Sequence, residues 1–172
     1  MTIRLFLLAC LLSAYSGRFP DHETVPAQDQ KFLEAAALGA IVEVRLGELA
    51  IQRTGNQVVR DFAKRMVIAY SQGAKEVKEL AERKGINCPT ELDDKHQQTV
   101  ERLSELSGPD FDRAYMTEMV EAHERDIKAF ENQGATGQDR DIKKWASRTL
   151  PKLREHLEVA RQTRRQTDMV AE

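Results

Sequence analysis

Four residues with chemistry to offer interrupt otherwise apolar helical stripes: Glu43, Tyr70, His123 and His156. A stripe that recurs in steps of three and four is the buried face of an amphipathic helix, so each of the four is carried inward on its own segment. One carboxylate and two imidazoles suit a single Zn²⁺, or an Fe²⁺ ion held on a two-His-one-carboxylate face with open positions. The Tyr70 phenol could join as a ligand or hydrogen-bond a bound water. The same four groups can instead satisfy one another by hydrogen bonds, as a polar network that fixes helix register. In a third reading the register differs and some of the four reach solvent. A dimetal carboxylate centre is not expected. Such centres use Glu-x-x-His pairs, and here Val120 and Leu153 stand three residues before the two histidines.

Other candidates carry less. His22 falls in an N-terminal tail and His96 in a charged connection, and both read as solvated. Met66, Met116 and Met119 read as core filler. Asp112 reads as a first-turn charge at a helix N-terminus. Cys88, beside Pro89, has no partner motif. The chain has no Gly-rich phosphate loop, no nucleophile elbow and no cysteine pair of metal spacing.

The elements that position the four residues follow from periodicity. A first helix spans 29–54, with the stripe Phe32, Ala36, Gly39, Glu43, Leu46 and Ala50, and stops at Gly55. A second starts after Asn56, a favourable N-cap, and ends at Lys84-Gly85, a glycine stop. Its stripe runs from Val59 through Met66 and Tyr70 to Leu80. A shorter helix over 91–107 follows, with Thr90 and Asp93 spaced like a capping box. A long helix over 110–133 carries Phe111, Tyr115, Met119, His123, Ile127 and Phe130. The last, over 139–164, carries Ile142, Ala146, Leu153, His156 and Ala160. Pro151 lies inside it and should kink it by removing a backbone donor. No strand pattern and no internal repeat is present.

Four such helices bury their stripes against one another as an all-α, four-helix bundle over residues 29–165. The short joints make helices one and two antiparallel, and likewise the last two. The crossover helix spans roughly 25 Å at 1.5 Å per residue, enough to cross the bundle end to end. One long crossover between two helical hairpins is the ferritin-like topology. Helix midpoints then face each other, and the four polar residues should share one layer.

The N-terminus reads as an export signal over residues 1–16. Arg4 supplies the positive charge, and Leu5–Ala14 is an apolar run too short for a membrane span, which takes about 20 residues. Ala14 and Ser16 offer small residues for cleavage. Leu7-Leu8-Ala9-Cys10 resembles a lipoprotein box, so membrane attachment is expected only through lipidated Cys10 or an uncleaved signal. A flexible linker over 17–28 and a disordered tail over 166–172 flank the bundle. With 26 basic and 28 acidic residues the net charge is -2. That balance gives no electrostatic case for nucleic acid, which needs a basic surplus.

Several stretches together resemble a known family. They are Asp29-Gln30-Lys31-Phe32, Glu43-Val44-Arg45-Leu46-Gly47-Glu48-Leu49-Ala50 and Val59-Arg60-Asp61-Phe62-Ala63-Lys64-Arg65-Met66-Val67. Further along come Ser107-Gly108-Pro109-Asp110-Phe111-Asp112 with Tyr115, Met119-Val120-Glu121-Ala122-His123, and Thr149-Leu150-Pro151-Lys152-Leu153-Arg154-Glu155-His156-Leu157. In order and spacing they resemble the exported bacterial ferritin-like family called domain of unknown function 4142, over roughly residues 28–162. Its members are often labelled outer membrane proteins. The resemblance implies a helical bundle outside the cytoplasm and no established activity. Members commonly carry Asp-His after the Met-Val of the second helix, where this chain has Ile68-Ala69-Tyr70. Glu43, His123 and His156 match the family pattern, whereas Ala69 and Tyr70 depart from it, so the chain reads as a degenerate member that has lost a ligand. The expectation is a periplasmic or envelope protein, non-enzymatic, binding a protein or small-molecule partner or serving under stress. A homodimer is the simplest assembly. The alternative is a mononuclear Zn or Fe protein, with redox activity open to it.

Overall fold

A computed structural model describes residues 24–170 of the chain. The signal over 1–16, Cys10 and His22 lie outside the described residues. Five helices are present, with no strand among the described residues: α1 (Ala27–Arg53), α2 (Gln57–Arg83), α3 (Asp94–Ser104), α4 (Gly108–Thr136) and α5 (Arg140–Val170). No helix of the described residues is long and apolar enough to cross a membrane.

Local chemistry sets the helix ends. Asn56 caps α2, its side chain accepting from the Val58 N–H at 2.9 Å. At the other end Gly85 takes φ +67°, and the Ile86 N–H reaches back to the Ala81 carbonyl at 2.9 Å. This left-handed exit satisfies carbonyls that the helix leaves free, and it suits a residue without a Cβ. The crossover helix is shorter than its pattern suggested. Asp93 caps α3 by accepting from the His96 N–H at 2.9 Å, so the chain from Thr90 to Asp93 stays outside the helix and the Thr90/Asp93 capping box does not form. The last helix is longer than expected. Thr163 and Thr167 are buried, and the Thr167 hydroxyl donates to the Thr163 carbonyl. The stripe therefore continues past 165, and the tail expected to be disordered is helical as far as Val170. The helix also runs through Pro151 without interruption.

Contacts between helix ends give the chain directions. Thr54, which closes α1, donates from its hydroxyl to Asp112 Oδ1 at 2.5 Å near the start of α4. At the opposite end Asp29 of α1 accepts from the Gln133 side chain near the end of α4. It also accepts from the backbone N–H groups of Gln138 (3.0 Å) and Asp139 (2.6 Å) just before α5. Thus α1 and α4 are antiparallel. Lys84, after α2, pairs with Asp139 (2.8 Å) and Asp141 (2.7 Å) at the start of α5, so α2 and α5 are antiparallel as well. The two hairpins, α1–α2 and α4–α5, meet along α1–α4 and α2–α5, while α3 rests on α1 and α4.

One core fills the space between the four long helices. Leu33, Leu46, Val59, Met66, Phe111, Met116, Met119, Ile142 and Ala146 are fully or almost fully buried. A large apolar side chain so buried contributes roughly 1.5–3 kcal/mol. Two aromatic clusters bracket its middle. Phe32, Phe130 and Trp145 pack at one end, with centroids 4.9–6.0 Å apart. Phe62, Phe111 and Tyr115 pack at the other, at 5.9–6.2 Å. Between α1 and α2 the approach is close: a Cβ on Gly47 would meet Val67 Cγ2 at 2.7 Å and the Ala63 carbonyl at 3.3 Å.

Candidate functional site

The four polar residues picked from the stripes come together between the aromatic clusters. The rings of Tyr70, His123 and His156 form a triangle with all three centroid separations at 5.8 Å. Glu43 Oε1 lies 3.8 Å from His123 Nδ1. His123 is 0% exposed, Glu43 2% and Tyr70 9%, while His156 is half-buried at the rim.

His123 is the hub. Its Nδ1 lies 2.7 Å from the Met119 carbonyl, one turn back on α4. A carbonyl only accepts, so Nδ1 carries the proton. Burial lowers the His123 pKa to about 4; the Met119 hydrogen bond opposes this and His156 adds to it. The ring is therefore neutral at pH 7, and Nε2 presents a lone pair. The Tyr70 hydroxyl, 3.1 Å away, donates to it. Both ring nitrogens are thus committed inside the protein.

The remaining groups are less well satisfied. Glu43 Oε2 and His156 Nδ1 are buried without hydrogen-bond partners, as are Tyr115 Oη and Trp145 Nε1. Burial first, then the nearby Asp126 and Glu118, push the Glu43 carboxyl well above its ordinary range, against the pull of Arg125. Burial also raises Tyr70, with Glu43 adding to the effect. It lowers His156, where Arg65 acts in the same direction.

Two openings approach the layer from opposite sides. A groove of about 350 Å³ between α2 and α5 is lined by Tyr70, His156, Trp145 and Leu153. A cleft of about 230 Å³ beneath α3 is lined by Glu43, Glu118, Asp126 and His96. Asp126 is half-buried, and desolvation raises its carboxyl to about 6. The sequence pattern did not single it out, because the residues that shield it come from α1 and α3. His96, expected to be solvated, partly lines this cleft while bonding Asp93 through Nδ1 at 2.5 Å. Met66, Met116 and Met119 are fully buried core residues. Cys88 is a free, half-buried thiol whose pKa burial raises. Asp112, expected as a first-turn charge, lies just past the first turn of α4, whose acidic residue is Asp110; it is buried and accepts from Thr54, tying two helices together.

Among the described residues, no three His, Cys, Asp or Glu side chains are grouped so as to hold a metal ion. As the groups stand, His123 has no free lone pair for one, since Tyr70 occupies Nε2. What the arrangement does support is proton sharing between the Tyr70 hydroxyl and His123 Nε2, with the Glu43 carboxyl 3.8 Å from Nδ1 but not hydrogen-bonded to it.

The family model described as Domain of unknown function (DUF4142) matches residues 16–163. The chain belongs to this family. The match takes in all four residues of the layer, so the layer is part of a DUF4142 domain. This DUF4142 chain also resembles a solved structure, the "Crystal structure of DUF305 fragment from Deinococcus radiodurans", with a TM-score of 0.72. The two share 13% sequence identity over 83% of this chain and 98% of that one. At that identity the likeness is one of helical fold alone. Comparison with curated proteins finds no match.

Proposed function

We propose that this DUF4142 protein is exported to the bacterial periplasm or envelope, and that it has a ferritin-like topology and a non-enzymatic binding or stress-related role. The topology rests on α2 and α4 running parallel, each antiparallel to α1, with the α3 crossover between the hairpins. In this reading the mid-bundle layer holds the four long helices in register. The observation that carries it is the double commitment of His123: Nε2 accepts from Tyr70 and Nδ1 donates to the Met119 carbonyl. A histidine spent in this way orders a core and leaves no open coordination position. The test has two arms. The full chain is expressed in a bacterial host and fractionated, with recovery in the envelope fraction expected and retention in the cytoplasm counting against export. Elemental analysis of untagged, chelator-free protein is expected to give far less than one metal ion per chain.

A second reading is a mononuclear Zn or Fe protein built on Glu43, Tyr70, His123 and His156. It is favoured by the two unpartnered atoms at the layer, Glu43 Oε2 and His156 Nδ1. It requires Tyr70 to leave His123 Nε2. Near-stoichiometric metal that disappears in a His123→Ala/His156→Ala double variant would replace the first reading with this one.

A further inference from the structure

The Tyr70–His123 pair has a chemical capacity that register alone does not need. We propose that Tyr70 is a one-electron redox residue, which gives an electron to an external oxidant while passing its proton to His123. This goes beyond the binding role above and stands or falls separately from it.

The proton decides whether a phenol oxidises easily. A phenol that loses an electron becomes a very strong acid. If no base is in contact, the oxidant must first make a charged radical cation, which a buried site disfavours. Tyr70 has its base in place: its hydroxyl is hydrogen-bonded to His123 Nε2 at 3.1 Å. The tautomer is fixed in the required sense, because Nδ1–H is held by the Met119 carbonyl at 2.7 Å. An oxidised phenol is acidic enough to protonate even an imidazole made weakly basic by burial. The other core tyrosine supplies the contrast. Tyr115 is fully buried and its hydroxyl has no partner, so it has no proton acceptor.

The step balances within these two residues and the oxidant. The Tyr70 O–H bond breaks and an N–H bond forms at His123 Nε2. One electron leaves the ring and reduces an outer-sphere oxidant, of which a ruthenium(III) polypyridyl is a laboratory member. The products are a neutral phenoxyl radical and an imidazolium. The new charge faces the Met119 carbonyl and, 3.8 Å from Nδ1, Glu43 Oε1. A one-electron reductant of the ascorbate class reverses the step, and the proton returns to oxygen.

Access and protection also fit. Tyr70 lines the α2–α5 groove, so an oxidant approaches one edge of the ring while the hydroxyl points at the fully buried His123. At 9% exposure, with the His123 and His156 rings 5.8 Å away, two such radicals cannot meet and cross-link.

The test uses flash-generated ruthenium(III) tris-bipyridine on the full chain carrying Tyr15→Phe, which removes the one tyrosine outside the described residues. Electron paramagnetic resonance and transient absorption follow the radical. The expected result is a neutral tyrosyl signal that is lost in Tyr70→Phe and kept in Tyr115→Phe. Its formation is expected to be slower in D₂O than in H₂O, because the proton moves with the electron. His123→Gln, which removes the base, should slow it further. Circular dichroism checks that each variant is folded, and the isotope arm needs no variant at His123. A signal that persists undiminished in Tyr70→Phe, or that forms equally fast in D₂O, overturns the proposal.

Discussion

Tyr70 and His123 show how much one hydroxyl contributes to this interior. Tyr70→Phe keeps the ring and its packing but removes the donor to His123 Nε2. A buried acceptor left unsatisfied costs roughly 1–3 kcal/mol. The urea midpoint of Tyr70→Phe should therefore fall, while Tyr115→Phe, which deletes a hydroxyl already without a partner, should leave it level or raise it. Equal losses in the two variants would mean that Tyr70 and His123 are not bonded in solution. The four residues of the layer were legible in the sequence because a polar side chain on an apolar helical stripe stands out. Asp29 and Asp126 were not legible. Asp29 lies in a first turn, where an acid is expected to face water, and its burial depends on Gln133, Gln138 and Asp139, far along the chain. Asp126 is shielded by α1 and α3 across the cleft, which no pattern within α4 can report.

At the scale of elements, periodicity located all five helices but misplaced ends set by single hydrogen bonds. The Asp93 cap shortened α3, and the buried Thr163–Thr167 pair lengthened α5. Two substitutions probe the helices directly. Gly47 lets α1 settle onto α2, one turn from Glu43. Gly47→Ala would place its Cβ 2.7 Å from Val67 Cγ2 and 3.3 Å from the Ala63 carbonyl. The side chain can rotate away but the backbone oxygen cannot, so a loss of about 1–3 kcal/mol is expected from overpacking. A thermal melt checks this, and an unchanged melting temperature would mean that the helices stand further apart. Pro151 works in the opposite direction. It is exposed on a helix that continues through it, although proline in a helix interior costs about 3 kcal/mol relative to alanine. Pro151→Ala restores the N–H and should raise the melting temperature. Part of the gain is lost because alanine also frees the unfolded chain.

At the scale of the whole molecule the buried ionisable groups act together on stability, and their signs can be worked out. Burial raises Asp126 from 3.8 to about 6 and Glu43 well above 4.5, so the folded chain keeps protons that the unfolded chain has released. Each therefore removes stability as pH rises, Asp126 between about 4 and 6 and Glu43 from about 4.5 until it ionises. His123, lowered from 6.5 to about 4, and His156, also lowered, act in reverse: the unfolded chain takes up their protons first, so stability is lost as pH falls below 6.5. Between about pH 4.5 and 6 the two acids and the two imidazoles therefore act on stability in opposite directions. Well above pH 6.5 the imidazoles are neutral in both states and Asp126 is ionised in both. For as long as Glu43 keeps its proton in the folded chain, it sets a downward slope of up to about 1.4 kcal/mol per pH unit. Glu43→Gln, uncharged at every pH, should abolish that decline and make the variant more stable than the parent at pH 8, with the advantage shrinking toward pH 4.5. A parent midpoint that rises between pH 6.5 and 8, or a Gln variant that follows the same decline, would mean that Glu43 is ionised and solvated in the folded protein. The layer would then be open to water on the side of the α3 cleft.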